Sequence, residues 1–286
     1  MLHLVFERAY INKAVNQASV SIGNLKTIPV SVPPLPEQRR IAAILDKADA
    51  LRAKRREALA QLDELTQSIF IEMFGDPRAN DRFWPVDRIG SLVSGVRGGA
   101  ALEPDDFIDQ GFPVLHKGAI KPQGQIYLDP NKKTFVDLSY ANSKPNSIVD
   151  RDYIAVTLRD LVPSGPSVGL SADLRRGPHD AYILAQGAYA FRLDQTRLTP
   201  EYFVELSNAP TFRLVLKQNA VGSTQIHIRT PIYLDIKIPV PPLSLQTSFS
   251  KKIRSIEVQK ATIGSSIVEL DSLFSSLQHR AFRGEL

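Results

Sequence analysis

The sequence predicts an α+β fold: one mixed α/β domain carried by two long helices that form an antiparallel coiled coil. Three observations lead there. A short segment occurs twice, a long helix-forming stretch comes after each copy, and the residues between the copies are rich in short β-type runs. Val32-Pro33-Pro34-Leu35 recurs as Val240-Pro241-Pro242-Leu243, and in the same register Leu45 meets Ile253 and Leu62-Asp63 meets Leu270-Asp271. Leu65 then meets Leu273, and Phe74 meets Phe282. Upstream, after a small gap, Lys13-Ala14-Val15 resembles Asn219-Ala220-Val221. A duplicated strand, Pro-Pro and long-helix unit on either side of one globular segment is a repeat architecture with a spacer built into it.

The first helical stretch, residues 36–75, carries Ile41, Ile44, Ala48, Leu51, Ala58, Leu62, Leu65 and Ile69 at spacings of three and four or their sums. That period near 3.5 is the pattern of a continuous helix–helix seam, with Arg55 in one seam position. Pro33, Pro34 and Pro36 forbid helix before it, Gly75 is placed to end the last turn, and Pro77 blocks any continuation. The second copy repeats the design with Phe249, Ile253, Ile256, Ile263, Ile267, Leu270, Phe274, Leu277 and Ala281, interrupted by Lys260 and weakened by Gly264. A helix of ~39 residues spans roughly 58 Å at ~1.5 Å per residue. Antiparallel pairing is expected because the intervening domain lets the second helix return along the first. Two unrelated bundle helices, or a coil that only dimerises, would show the same stripes.

Between the helices the pattern changes. Phe112–Leu115, Gln125–Leu128, Tyr153–Leu158, Tyr182–Ala185, Ala188–Leu193 and Ile232–Ile236 read as strands, and Thr199–Gln218 reads as helix.

Composition narrows the chemistry. The 286 residues include no cysteine, which excludes disulfides, iron–sulfur clusters and thiolate zinc sites. No run approaches ~18 apolar residues, so no membrane span is expected, and a cytoplasmic protein fits. A net charge of +5 and a pI near 9.3 favour polyanionic partners. The five histidines show no paired metal-ligand spacing, so no metal site is expected.

Catalytic motifs are equally scarce. Neither Asp76-Pro77 nor Asp129-Pro130 continues into the Pro-aromatic pair of an amino-methyltransferase, and Gly95-Val96-Arg97-Gly98-Gly99 fits neither a dinucleotide fingerprint nor a phosphate loop. Asp235-Ile236-Lys237 has the local form of a metal-dependent nuclease motif without an acidic partner. No catalytic residue is expected.

Val32-Pro33-Pro34-Leu35-Pro36-Glu37-Gln38-Arg39-Arg40-Ile41-Ala42, with Leu45-Asp46-Lys47-Ala48-Asp49, resembles the central conserved region of type I restriction–modification specificity subunits. Gln67-Ser68-Ile69-Phe70 and Met73-Phe74-Gly75-Asp76-Pro77 extend the match, and Gly222-Ser223-Thr224-Gln225 resembles the closing segment of a target-recognition domain. The resemblance implies two recognition domains, each with a spacer helix after it; here only one is complete. It divides the chain into a remnant of a first recognition domain (1–31), a first conserved region with its helix (32–77), a recognition domain (78–240) and a second conserved region with its helix (241–286). It further implies a non-catalytic subunit that reads a half-site on double-stranded DNA. Its implied partners are a DNA methyltransferase subunit, which supplies S-adenosylmethionine chemistry on adenine, and a restriction–translocation subunit. No cofactor is expected in this chain itself. A homodimer would supply a second half-site, and a truncated regulatory or structural partner of methyltransferase subunits is the alternative.

DNA recognition needs cations on phosphates and paired donors or acceptors on base edges. Arg97, Lys117, Lys121, Lys132, Lys133 and Arg159 are the candidate cations, with Arg175 and Arg176 behind them. In Thr224-Gln225-Ile226-His227-Ile228-Arg229 polar residues alternate with isoleucines, so Gln225, His227 and Arg229 share one face if the segment is extended. Glutamine can then pair with adenine N6 and N7, and arginine with guanine O6 and N7. A half-buried strand with a polar outer face shows the same alternation. The coiled-coil interface is expected at Ile41, Leu51, Leu62, Leu65, Ile256, Ile263, Leu270 and Leu277.

Overall fold

A computed structural model describes residues 12–14, 17–19, 22–26 and 32–283. The described residues open with β1 (Asn12–Ala14), β2 (Gln17–Ser19), α1 (Ile22–Lys26) and the long α2 (Leu35–Phe74). Then come β3 (Val86–Arg88), β4 (Val93–Gly98), β5 (Phe112–Leu115), β6 (Phe135–Val136), α3 (Leu138–Ser143) and β7 (Ile148–Asp150). After them stand β8 (Ile154–Thr157), β9 (Arg159–Asp160), β10 (Ser171–Asp173), β11 (Ala181–Leu184) and β12 (Ala188–Leu193). The last part holds α4 (Pro200–Asn208), α5 (Pro210–Gln218), β13 (Ile226–His227), α6 (Thr230–Asp235), β14 (Lys237–Pro239) and the long α7 (Leu243–Arg283). Two compact units result, one of residues up to Leu62 and from Val258 onward, the other of Asp63–Glu257.

The second unit is the α+β domain. One antiparallel sheet has the order β10-β8-β12-β4, and a mixed sheet has the order β6-β5-β11-β7 with β5 and β11 parallel. The mixed sheet is buried on both faces. Leu115, Tyr182 and Leu184 pack into one cluster with Tyr153, Ala155 and Leu170, whereas Val114 and Ile183 pack into another with Val136 and Ala141. Burial on both sides explains why β5 and β11 are continuous apolar runs rather than alternating ones.

Three expected elements differ. Gln125–Leu128 is no strand: a turn at Pro122-Gln123-Gly124 folds the chain back, so Ile126 makes only a single bridge to Ile120. The helix over Thr199–Gln218 is two helices, because Pro210 drives Ala209 out of the helical region (φ −57°, ψ 128°). Ile232–Ile236 is mostly α6: Thr230-Pro231 starts a helix with proline's φ already set, and the strand begins only at Lys237.

The long helices behave as their sequences suggest at the ends. Gly75 (φ +79°) donates its N–H to the Ile71 carbonyl at 2.8 Å and closes α2 in a left-handed cap. In the first unit Arg52 reaches both Asp271 at 2.6 Å and the ring of Phe274 at 4.3 Å, while Arg56, one turn on, meets Asp271 at 3.1 Å. As α2 advances its contacts on α7 recede, the sense of an antiparallel pair. The Arg52 guanidinium, with Arg56 beside it, holds the Asp271 carboxyl below its ordinary 3.8. A depressed folded-state value stabilises above the ordinary one and is lost as pH falls through the folded one. Acidification below about 4 is therefore expected to loosen the pair, and Asp271→Asn to remove that acid-sensitive part. Circular dichroism melts of both chains between pH 3 and 7 check this; superimposable pH dependence would contradict it.

The buried stripe of α2 does not follow the heptad. Leu51 and Leu65, expected in the seam, are 52% and 45% exposed. Half-buried Arg52 and fully buried Thr66 take their places, in series with Ala48, Phe70 and Phe74. The spacing is that of an ordinary helix near 3.6, which drifts out of a 3.5-residue frame over ten turns. Ile41, Leu62, Ile263, Leu270 and Leu277 are half-buried, and Ile256 is buried. Lys260 is buried within the α7 stripe, where the sequence places an interruption.

The sequence duplication is structural too. Gln38 Nε2 bonds the Pro33 carbonyl at 2.8 Å, and Gln246 Nε2 bonds the Pro241 carbonyl at 2.8 Å. Strand, helix and Pro-Pro segment recur in the same order, β2 with α1 and β13 with α6. Gln246 goes further: it accepts from Thr199 N at 2.8 Å and donates to the Arg197 carbonyl at 2.9 Å, fully buried. Gln246→Ala strands those two backbone groups, with an expected loss of about 1–3 kcal/mol measured by urea denaturation.

Candidate nucleic-acid interface

The closing segment after α5 is extended where its alternation requires it. Ile226 and Ile228 are 8% and 2% exposed, while Gln225, His227 and Arg229 lie on the open side. β13 pairs antiparallel with β9, His227 opposite Arg159, and Ile228 N bonds the Leu158 carbonyl at 2.8 Å. Val221 and His227 exchange two backbone bonds at 2.9 Å, which closes the loop carrying Gly222-Ser223-Thr224.

This pairing brings four of the sequence candidates together. Arg159 donates to Gln225 Oε1 at 2.7 Å across 66 residues of chain. Lys117 lies beside them: a Cβ built on Gly187 (φ +93°) would sit 3.4 Å from Arg159 Cβ and 3.7 Å from Lys117 Cδ. Those are ordinary contact distances, so glycine is favoured at 187 by its positive φ rather than by lack of space. Burial lowers the proton affinity of the Lys117 amine; nearby Asp160 opposes that, and Arg159 adds to it. His227 stands opposite Arg159 in the ladder, and exposed Arg229 comes just before α6.

Asp160 anchors the arrangement from below. It accepts from Leu161 N at 2.7 Å and from Ser167 N at 2.8 Å, and the Ser167 hydroxyl also donates to it. Burial alone would raise its pKa; the hydrogen bonds from Ser167, Leu161 and Val162 outweigh burial and hold it below the usual carboxylate range. The loop so fixed exposes Leu161 and Val162 beside the cations. Arg213 braces its far end by donating to the Val168 carbonyl at 3.2 Å and to the Pro166 carbonyl. Sequence reasoning did not single out Arg213, Leu161 or Val162; the one available signal was an apolar pair inside Pro/Gly/Ser-rich sequence.

The remaining candidates lie apart from this cluster in their bonding. Arg97 donates to Asn146 Oδ1 at 3.1 Å. Lys121 lies 5.9 Å over the Tyr127 ring, and Lys132 pairs with Asp129 at 3.7 Å, 77% exposed. Lys133 is exposed. Burial, with Lys121 and Lys132 nearby, lowers the pKa of His116. Arg175 is paired with buried Asp173 at 2.7 Å, and Arg176 approaches Glu257 at 3.9 Å. Asp235 ends α6 and pairs with Arg88 at 3.1 Å on the open surface, so the expected strand context of that carboxylate does not hold. No cluster of three or more metal-ligating side chains occurs among the described residues, and no helix there is long and apolar enough to cross a membrane.

Known proteins agree with this architecture. The family described as type I restriction modification DNA specificity domain matches residues 2–62. The MjaVIII specificity subunit of Methanocaldococcus jannaschii is 22% identical over 81% of this chain and 56% of its own length. The EcoKI specificity subunit of Escherichia coli is 22% identical over 99% of this chain and 64% of its own. This chain thus spans less than two thirds of those relatives. In fold, it matches a chain solved in a study of complex assembly and conformational transition of the type I restriction–modification system, with TM-score 0.55, 20% identity, and 95% and 65% coverage. It also matches the type I S subunit from M. genitalium, with TM-score 0.52, 16% identity, and 96% and 68% coverage. The duplicated Pro-Pro-Leu helix, the antiparallel pair and the α+β domain between the two copies in sequence make the chain similar to type I restriction–modification specificity subunits, and the match to that family's DNA specificity domain is confined to residues 2–62.

Proposed function

We propose that this chain is a sequence-specific DNA-binding subunit that reads one half-site on double-stranded DNA and directs a methyltransferase subunit to it. It makes and breaks no covalent bond itself. The partner methyltransferase binds S-adenosylmethionine and modifies adenine, a restriction–translocation subunit joins the same assembly, and the complex works in the cytoplasm. Where two copies of this recognition domain act as a homodimer, each reads one half-site, and two-fold symmetry makes the target an interrupted inverted repeat. The observation that carries the reading is the exposed row of Gln225, His227 and Arg229, backed by Arg159 and Lys117 on a two-strand ledge. Such a ledge offers cations to phosphates and paired polar groups to base edges. Arg97, Lys121, Lys132 and Lys133 serve as outer phosphate contacts.

Selection of the purified full chain against a randomised duplex pool, over a series of salt concentrations, tests this. Enrichment of a short motif, with affinity falling as salt rises, is the expected result. Retention of no duplex, or salt-sensitive binding with no enriched sequence, would contradict it.

A further inference from the structure

We infer that Arg159 is a positioning residue that locks the polarity of the Gln225 amide, so that Gln225 meets DNA as a hydrogen-bond donor. The inference rests on the DNA-binding reading above. A guanidinium carries five N–H donors and no acceptor, so only the amide oxygen can face it. The 2.7 Å bond from Arg159 to Oε1 therefore turns the NH2 prong the other way, independently of how the two amide atoms are told apart. Gln225 is exposed, and its side chain makes no second hydrogen bond among the described residues. Both partners are held from behind: Arg159 by the register of β9 with β13, and the residue after Gln225 by burial of Ile226 beneath them.

An amide free to turn can pair with adenine, accepting from N6 while donating to N7. With Oε1 committed to Arg159, the outward face of Gln225 is a donor alone. Its counterpart is an acceptor, found either on a phosphate oxygen or on a base edge such as guanine O6 or N7 or thymine O4. The adenine pairing expected from sequence is thereby replaced by a demand for an acceptor.

Gln225→Glu separates the sources. The carboxylate keeps a bond from Arg159 and turns the outward atom from donor to acceptor. If the counterpart is a phosphate, the variant loses about tenfold or more on every duplex, with its motif unchanged. If it is a base, preference at one position switches to a base bearing a donor, cytosine N4 or adenine N6, with the other positions unchanged. A base switch supports the inference by itself; a uniform loss, which the added negative charge alone also produces, supports it only together with coupling to Arg159. Arg159→Met supplies the coupling: Gln225→Ala should change binding much less in that background than in the wild type. Gln225→Glu that binds and selects like wild type, or additive effects of Arg159→Met and Gln225→Ala, would overturn the inference while leaving DNA recognition standing. A wild-type chain that retains no duplex overturns the reading and the inference together. Both side chains are surface groups, and unchanged thermal melts confirm that the variants fold.

Discussion

Phe74→Ala is expected to cost about 3–5 kcal/mol, the largest loss from any single truncation proposed for this chain. Phe74 is 3% exposed, and its ring lies 4.8 Å from Tyr202, 5.2 Å from Phe70 and 5.2 Å from Phe249. These four rings join the end of α2 to α4 and the start of α7, so the cavity opens where three helices meet. Each surrounding group is held in place. The Tyr202 hydroxyl donates to the Pro239 carbonyl at 2.9 Å, and Trp84 Nε1 donates to the Phe74 carbonyl itself at 2.9 Å. A site so restrained collapses little, which puts the cost at the upper end of its class. For a domain stable by ~5–15 kcal/mol this is a large fraction, and a fall in melting temperature of about 6–20 °C is the calorimetric signature. Phe83, 90% exposed, is the internal control, with a change within about 0.5 kcal/mol on truncation to alanine.

Replacing Lys117, Arg159 and Arg229 together by alanine is expected to abolish most DNA affinity. Each cation on a phosphate releases a condensed counterion, so the slope of log affinity against log salt should shrink by roughly 3. Charge-assisted bonds of ~1.5–3 kcal/mol each imply, for three of them, a loss of at least about 1,000-fold at low salt. Lys132 and Lys133 stand in a separate, solvent-exposed loop. Their joint replacement should lower the slope by at most about 2 and leave the selected motif intact. Anisotropy titrations at several salt concentrations distinguish the two variants. Equal effects would mean that the ledge of β9 and β13 is no different from the rest of the basic surface.

The legible features of the sequence were those set by local rules. Proline, glycine and an apolar stripe set the bounds of α2 to within a residue, because helix ends are decided by a few neighbouring groups. The strands at Phe112–Leu115 and Ala188–Leu193 fell where β-branched and aromatic residues cluster. The face shared by Gln225, His227 and Arg229 was readable from alternation alone. The adverse cases were those in which proline acts through geometry rather than composition: Pro210 divides a helix, and Pro231 starts one inside a β-like run. The seam positions Leu51 and Leu65 were misplaced because a heptad frame was applied to a helix that keeps its own period. In the candidate site, Lys117, Arg159 and Gln225 were each identifiable as types, but no local pattern joins residues 66 positions apart. The meeting of Arg159 with Gln225 depends on the β9–β13 pairing, which is a tertiary fact. The expectation for residues 1–31 falls largely outside the described residues; within it, β1, β2 and α1 repeat the order of the closing segment.

The most direct test of the proposed DNA-directed specificity is co-expression of the full chain with a type I methyltransferase subunit, and then mapping of N6-methyladenine across the host genome. A new methylated motif, lost with the Lys117, Arg159 and Arg229 replacements, is the expected result. A stable complex that leaves the methylation pattern unchanged would contradict it.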